Sequence, residues 1–253
     1  MVTIRRLVAA TLSISILVTA TPAQAGACAF EVQDEGHVAQ VIDARSFRLS
    51  DGREIRLAGI ELIAKDTGAL AALVKDKDVS LRGPDDTPDR YGRQTAFVVL
   101  AGSDISVQAQ LLAQGAALAS PDVADKDCAA ALLAAETEAR VGKKGIWAGT
   151  NVIKNAESAD DILTGIGRFV LVEGRVLSVR QAGTMTYLNF GRNWTRDFAV
   201  TISRRMMPAL ESTGITLKSL ENRRIRVRGW VEAHPGPRIE VVRAGQIEVL
   251  SGK

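Results

Sequence analysis

An Asp-Gly pair between two alternating segments constrains the fold of the amino-terminal half most strongly. The segment "SFRLS" precedes Asp51-Gly52, and "EIRLAGI" follows it. This dipeptide favours a tight hairpin turn, and the alternation of apolar and polar residues gives each flanking strand one apolar face. Since "HVAQVI" alternates in the same way, the sequence predicts a meander of three strands.

The next hundred residues change their period several times. "TGALAALVKD" has helical spacing, whereas "VSLRG" and "RQTAFVVL" return to the pattern of strands. Asp104 is placed to cap a helix that ends at Gly115, and an Ala-rich helix is predicted over residues 124–141. The predicted order is therefore three strands, a helix, two strands and two helices.

A second unit follows a polar stretch with little periodicity. Residues 151–165 are predicted to be a linker or a short connecting helix. Beyond them the pattern gives three strands, a helix and two strands joined by an "HPGP" turn, which is the order of a five-stranded OB-type barrel. We therefore expect a mainly β protein with some helix, made of two small barrels over residues 26–150 and 166–253.

The first 25 residues have the pattern of a signal peptide. Two arginines at positions 5 and 6 precede an apolar run over residues 7–20, and Ala23-Gln24-Ala25 fits an A-x-A cleavage site. This pattern predicts export, to a periplasm or out of the cell, after cleavage following Ala25. A lipoprotein anchored through Cys28 is the alternative. No later segment is long and apolar enough to predict a membrane span.

The two cysteines allow two interpretations. In an oxidising compartment Cys28 and Cys128 could form a disulfide between the mature amino terminus and the Ala-rich helix. Alternatively, Cys128 is a core residue, because it falls on the apolar face of that helix. Metal binding by the cysteines with His37 and His234 is not favoured, since no two of these residues have local ligand spacing.

Charge is distributed unevenly between the two halves. Residues 26–150 contain 14 Lys and Arg against 19 Asp and Glu, a net charge of −5. Residues 151–253 contain 16 against 10, a net charge of +6. The basic half could bind a polyanion such as nucleic acid, or it could dock against the acidic half.

One strand concentrates the positive charge. In "RRIRVRGWV" the alternation places Arg224, Arg226 and Arg228 on one face, and a groove of this kind suits a nucleic-acid backbone. Aromatic platforms for unpaired bases would complete such a site. The candidate platforms are Tyr187, Trp194 and Trp230, and further arginines lie at positions 192, 196, 204 and 205.

Four segments in order resemble the staphylococcal nuclease (thermonuclease) family. They are "VIDARSFRLSDGREIRLAGIE", "DRYGR", "VQAQLLAQGAAL" and "AAETEARVGKKGIW", within residues 36–147. The resemblance implies an OB-type barrel with packed helices that hydrolyses phosphodiester bonds with calcium. It also implies that Arg56 and Arg93 clamp the phosphate through bidentate, charge-assisted hydrogen bonds. Tyr91, within "DRYGR", is either a packing residue or a ligand contact.

The resemblance fails at the carboxylates. Where the family usually has Asp-Gly-Asp-Thr, this chain has Asp43-Ala44-Arg45-Ser46, so an arginine replaces a calcium ligand. Glu61 stands in place of the next ligand, normally an aspartate, and remains able to bind calcium. Ala64 occupies the position of the glutamate that activates water, and alanine cannot accept a proton. A positive charge at Arg45 would also repel the ion.

Two neighbouring aspartates could compensate for these losses. Asp43 and Asp66 lie close in sequence to the altered positions, although Asp66 is also well placed to cap the following helix. Our first hypothesis is an exported protein with a degenerate catalytic site that binds nucleic acid, another polyanion or an envelope partner. An active phosphodiesterase, with calcium held by Glu61, Asp43 or Asp66, is the alternative. A purely structural envelope protein is a third.

Overall fold

The computed structural model describes residue 28, residues 30–84 and residues 86–250. The predicted signal peptide and its cleavage site lie outside these residues. The described chain is a mixed α and β protein in which strands predominate. Within it, no helix has the length and apolar character needed to cross a membrane.

The first unit is built on a closed five-stranded barrel. Its strand order is β1-β2-β3-β6-β5, with β3 and β6 parallel and the other pairs antiparallel. The predicted hairpin is confirmed, because β2 and β3 pair on either side of Asp51-Gly52. The barrel strands and the short strand β4 are Val32–Asp43 (β1), Ser46–Leu49 (β2), Glu54–Leu57 (β3), Ile60–Glu61 (β4), Asp78–Arg82 (β5) and Arg93–Leu100 (β6).

The long first strand closes this barrel. Its first half pairs with β5 and its second half pairs with β2. A Cβ atom added at Gly36 would lie 2.8 Å from Cδ1 of Leu49, so the missing side chain lets β1 pass closely over β2. The barrel interior is filled by the inward residues of the strands, among them Phe47, Leu49, Ile55, Leu57 and Leu81, all buried.

Three helices pack on the barrel. They are α1 (Gly68–Val74), α2 (Val107–Ala113) and α3 (Lys126–Val141). Strand β7 (Leu118–Ala119) pairs with β4, and a 3₁₀ turn covers Gly145–Ala148. The expected cap at Asp104 is wrong: the backbone is extended at Ser106, whose hydroxyl accepts a hydrogen bond from Ala109 N at 3.2 Å.

The two cysteines form a disulfide, as one of the two interpretations expected. Cys28 is bonded to Cys128 at the start of α3, across a sequence separation of 100 residues. Cys128 is also fully buried within the core, so the bond anchors the described amino terminus directly to that core. Closing a loop of this length restricts the unfolded chain by about 4–5 kcal/mol in the chain-entropy model.

The segment predicted as a linker belongs to the second sheet. Residues 151–165 contain β8 (Ile153–Asn155) and α4 (Ala159–Leu163). Strand β8 pairs in parallel with β9. Val152 and Ile153 pack against a cluster that includes Trp147, and this burial explains why the segment is ordered rather than a free connection.

The second unit repeats the order of pairings seen in the barrel. Strands β9 and β10 follow each other with two residues between them; β9 pairs with β13, and β10 pairs with β11. Strand β11 pairs with β12, β12 runs parallel to β14, and β14 pairs with β13. The assignment of this unit to the OB class stays a prediction.

Its strands are β9 (Phe169–Arg175), β10 (Ser178–Ala182), β11 (Met185–Asn189), β12 (Ala199–Ser203), β13 (Arg224–Ala233), β14 (Pro237–Val241) and β15 (Ile247–Val249). Helix α5 is Met207–Glu211, and 3₁₀ turns cover Arg204–Met206, Leu217–Leu220 and Ala244–Gln246. The core of this unit includes Phe190, Phe198, Val227 and Ile239, all buried. Phe190 and Phe198 are core residues, as expected from the sequence.

A buried ion pair joins the two units. Arg228 on β13 is 1% exposed, and Glu136 on α3 is 0% exposed. Their side chains form two hydrogen bonds, Nη1 to Oε2 and Nη2 to Oε1, each 3.0 Å long. The Arg228 guanidinium also donates to the carbonyl of Ala119 at 2.8 Å and to Glu248. Burial lowers the pKa of Arg228, but Glu136 and Glu248 outweigh it and raise the pKa.

This pair corrects the proposed arginine groove on β13. The alternation was right, but the arginine face is covered. Arg226 is buried and forms ion pairs with Glu173 and Glu248, while only Arg224 is exposed, beside Glu173. Docking against the acidic half therefore explains Arg228, and acidic residues of the same unit neutralise the other two. Arg226 and Arg228 are not available to an external polyanion.

We expect Arg228→Met to lower the free energy of unfolding by about 3–5 kcal/mol, because Glu136 would stay buried with only the longer contact to Arg140, at 3.4 Å. As a control, Arg224→Ala removes an arginine of the same strand from an exposed ion pair and should cost about 0–1 kcal/mol. Urea unfolding of both variants measures the difference. Equal losses would mean that the buried pair does not hold the units together.

Candidate functional site

The arginines predicted to clamp phosphate lie on one outer face of the first barrel. Arg56 is on β3, between the inward-facing residues Ile55 and Leu57. Strand β6 runs parallel to β3 and places Thr95 opposite Arg56 and Arg93 opposite Glu54. Because Arg93 and Thr95 are two residues apart on one strand, they share a face. The barrel therefore places Arg56 and Arg93 on neighbouring strands, facing outward.

Arg93 is fixed by Asp89. Its Nη2 and Nε atoms donate to Oδ2 of Asp89 at 2.8 and 3.1 Å. The hydrogen bond from Arg93 is the main cause that lowers the pKa of Asp89 to about 2. The same bond raises the pKa of Arg93. The pair therefore stays charged at neutral pH, and the guanidinium is held in one orientation.

Tyr91 is exposed and contacts cations rather than the core. The guanidinium carbon of Arg93 lies 4.9 Å from the centre of its ring, and that of Arg90 lies 4.7 Å from it. Such distances are typical of cation–π contacts. Of the two interpretations of Tyr91, core packing is therefore not supported. Its ring instead forms part of the positive surface around Arg93.

Arg56 differs from Arg93 in the hydrogen bonding of its side chain. Within the described residues, no carboxylate or carbonyl accepts a hydrogen bond from the Arg56 guanidinium. Arg56 is half-buried, and its charge contributes to lowering the pKa of Arg45. A guanidinium with unused donors beside a second cation is arranged to receive an anion.

Arg45 forms an ion pair with Glu61 on the side of the site where the carboxylates lie. Its Nη1 atom donates to Oε2 of Glu61 at 2.6 Å, and its Nε atom donates to the carbonyl of Leu57 at 3.0 Å. The side chains of Arg45 and Glu61 are only 13% and 14% exposed. Burial is the main cause that lowers the pKa of Arg45. The other oxygen of Glu61 accepts from the Ser120 hydroxyl at 3.3 Å.

The compensating aspartates are engaged elsewhere. Asp43 is exposed and accepts a hydrogen bond from the backbone amide of Arg45 at 2.7 Å, which forms a local turn. Asp66 accepts from the amide of Gly68 at 2.9 Å. It therefore stabilises the start of α1, although the capping position itself is Thr67. Ala64 is exposed in the irregular segment between β4 and α1.

These residues do not fit a calcium ion. Calcium takes six to eight oxygen ligands in proteins, but Glu61 is bound to a guanidinium and Asp43 to a backbone amide. In the part of the chain that the structure describes, no three His, Cys, Asp or Glu residues are grouped for metal binding. Arg45 provides the positive charge that balances the carboxylate of Glu61.

The second unit also contributes residues to this site, and no local pattern in the sequence indicated which residues these would be. Glu61 and Ser120 line a cleft of about 320 Å³ together with Trp230 and Arg243. Arg243 forms an ion pair with Asp122 across the two units, with Nε 2.9 Å from Oδ1. These contacts join residues more than a hundred positions apart. Trp194 lies in the loop after β11 and lines another part of the surface.

Residues 59–149 match the family model of staphylococcal nuclease homologues. This range contains Glu61, Ala64, Tyr91 and Arg93, and it ends after the 3₁₀ turn that follows α3. The match confirms the resemblance for three of the four sequence segments, whereas residues 41–58 of the first segment, with Arg45 and Arg56, lie outside the matched range. A search of curated proteins gives no significant match.

We expect Arg45→Ala to lower the free energy of unfolding by about 1–3 kcal/mol, since Glu61 would be left largely buried without a cation. Arg48→Ala is the control, because Arg48 lies on the next strand but is exposed and 3.8 Å from its carboxylate, Glu54. That change should stay within about 0.5 kcal/mol. Thermal unfolding measures both, and a neutral Arg45→Ala would contradict a stabilising role for the pair.

Proposed function

We propose that the chain, whose residues 59–149 match the family model of staphylococcal nuclease homologues, binds the phosphodiester backbone of nucleic acid through Arg56 and Arg93. We propose further that it has lost efficient hydrolysis. The pairing of Arg45 with Glu61 carries this proposal, because it neutralises the carboxylate, while no described residue accepts a hydrogen bond from the Arg56 guanidinium.

Hydrolysis has two chemical requirements, and different residues of the site correspond to each of them. Cleavage of a phosphodiester needs cations for the developing negative charge, and it needs a base or a metal ion to activate water. Arg56 and Arg93 supply the first requirement. Ala64 has no proton acceptor, and Glu61 is bound by Arg45. A phosphate could therefore be held without an activated water beside it.

The positive charge at the site is local. The first unit as a whole is acidic, with 14 basic against 19 acidic residues over residues 26–150. Arg45 lies close to Arg56, with its charge balanced by Glu61, and Arg90 adds a cation beside Tyr91. A cluster of this kind on an acidic surface would attract a phosphate to one place rather than to the whole face.

Export is part of the proposal. It is supported by the amino-terminal pattern of arginines, apolar residues and an A-x-A site. The Cys28–Cys128 disulfide is compatible with an oxidising compartment. The ligand would then be extracellular or periplasmic nucleic acid, or another phosphate polymer with the same backbone charge.

The test measures binding and cleavage separately. The full chain, labelled with ¹⁵N, is titrated with single-stranded DNA and RNA, and the Nε–Hε resonances of its arginines are followed by NMR. We expect Arg56 and Arg93 to shift, and Arg228, which is buried against Glu136, to serve as the unshifted reference. Arg56→Ala should weaken binding about ten- to hundredfold, the value of a charge-assisted hydrogen bond.

Cleavage is followed on gels with calcium and then with chelator, and no metal-dependent fragments are expected. Fragments that require calcium and disappear in Arg56→Ala would reject the degenerate site and favour the active phosphodiesterase. Resonances of Arg56 and Arg93 that do not respond at low salt would reject phosphate binding and leave the structural role.

A further inference from the structure

A groove on the second unit lies apart from Arg56 and Arg93, neither of which lines it. It has a volume of about 830 Å³ and crosses the outer face of β10, β11, β12 and β14. The loops of residues 190–198 and 234–237 form its rims. The opposite face of these strands carries Leu188, Val200 and Ile239, which are core residues. The groove is therefore the solvent side of a rigid sheet.

The strand register aligns the side chains on the floor of this groove. Arg180 is paired with Tyr187, and Tyr187 is paired with Thr201 on the next strand. A second row contains Asn189 and Ala199, with Arg238 beyond them. Paired residues on neighbouring strands share a face. One row thus places a cation, an aromatic ring and a hydroxyl side by side.

Two aromatic rings face the groove. Trp194, in the rim loop, is 73% exposed, and its ring forms no aromatic or cation–π contact with another described residue. Tyr187 is half-buried on the floor. Trp194 leaves a large apolar surface in water, which a ligand could cover. Aromatic rings above a groove are the usual platforms on which unpaired bases stack.

Two of the three arginines that line the groove form no ion pair with any described residue, in contrast to the arginines of β13. Arg180 and Arg192 are exposed, and neither forms an ion pair with any described residue. Arg238 is bound to Glu232 at 3.0 Å. The one aspartate in the lining, Asp197, accepts a hydrogen bond from the backbone amide of Asn193 at 2.7 Å. Glu240 is paired with Thr201 on the next strand and is exposed, so the uncompensated positive charge of the groove lies at Arg180 and Arg192 rather than along its whole floor.

A buried hydroxyl on the floor lacks a partner. Thr201 is 1% exposed, and its Oγ1 atom has no hydrogen-bond partner among the described residues. Buried polar groups are nearly always hydrogen-bonded, because leaving one unpaired costs free energy. A polar group of a bound ligand would satisfy it.

We propose that this groove is a binding site for single-stranded nucleic acid, separate from the site in the first unit. Bases would stack on Trp194 and Tyr187, while Arg180 and Arg192 would bind the phosphates. In a duplex the faces of the bases are already stacked, so aromatic platforms suit an unpaired strand. A neutral sugar chain would use the rings but not the free arginines. The proposal does not depend on phosphate binding by Arg56.

The experiment uses the full chain with Arg56→Ala, so that the first site does not contribute. Fluorescein-labelled oligo(dT) and oligo(U) of about twelve nucleotides are titrated and followed by fluorescence anisotropy. Trp194→Ala should weaken binding roughly five- to hundredfold, the range for loss of a stacked base. Arg192→Ala should also weaken it and reduce the slope of log affinity against log salt by about 0.7.

Two controls match these variants. Trp230→Ala removes another exposed tryptophan, which lines the cleft between the units, and Arg224→Ala removes an exposed but paired arginine. Both should bind as their parent does. Binding of either strand type, DNA or RNA, supports the proposal. Unchanged affinity in Trp194→Ala, equal losses in Trp230→Ala, or equally tight binding of a duplex would overturn it.

Discussion

The buried pair of Arg228 and Glu136 is the interaction on which the arrangement of this chain depends. Two charges without access to water are tolerated only when they satisfy each other, and here Ala119 supplies both a donor and an acceptor to complete the network. The pair fixes the second unit beside β7 and α3. As a result, Trp230 and Arg243 face Glu61 across a narrow cleft.

The same network determines which arginines are available to bind a ligand. Counting charges suggested that the whole basic half could bind a polyanion, with β13 as its centre. The acidic partners of Arg228 lie 92 and 20 residues away in sequence, so alternation along β13 could not reveal that its polar face is covered. Among the described residues, arginines without an ion pair occur instead at Arg56 and, as Arg180 and Arg192, in the groove of β10 to β14.

The sequence was most informative where the determinants are local. The Asp51-Gly52 hairpin, the outward direction of Arg56 and the core position of Cys128 follow from turn chemistry and residue period, and the structure has all three. The hydrogen bonds of Glu61 could not be predicted, because they join residues 16 and 59 positions apart. Repulsion of calcium by Arg45 was expected, whereas the direct ion pair was found only in the structure.

The proposed site keeps Arg56 and Arg93 for binding an anion, and the cation beside Glu61 is the side chain of Arg45. Isothermal titration calorimetry tests this most directly: calcium chloride is titrated into the full chain, and single-stranded oligonucleotide is then titrated with calcium or with chelator. We expect that calcium produces no saturable heat of binding and that the oligonucleotide binds with the same affinity in both buffers. Saturable calcium binding that tightens the oligonucleotide complex would contradict it.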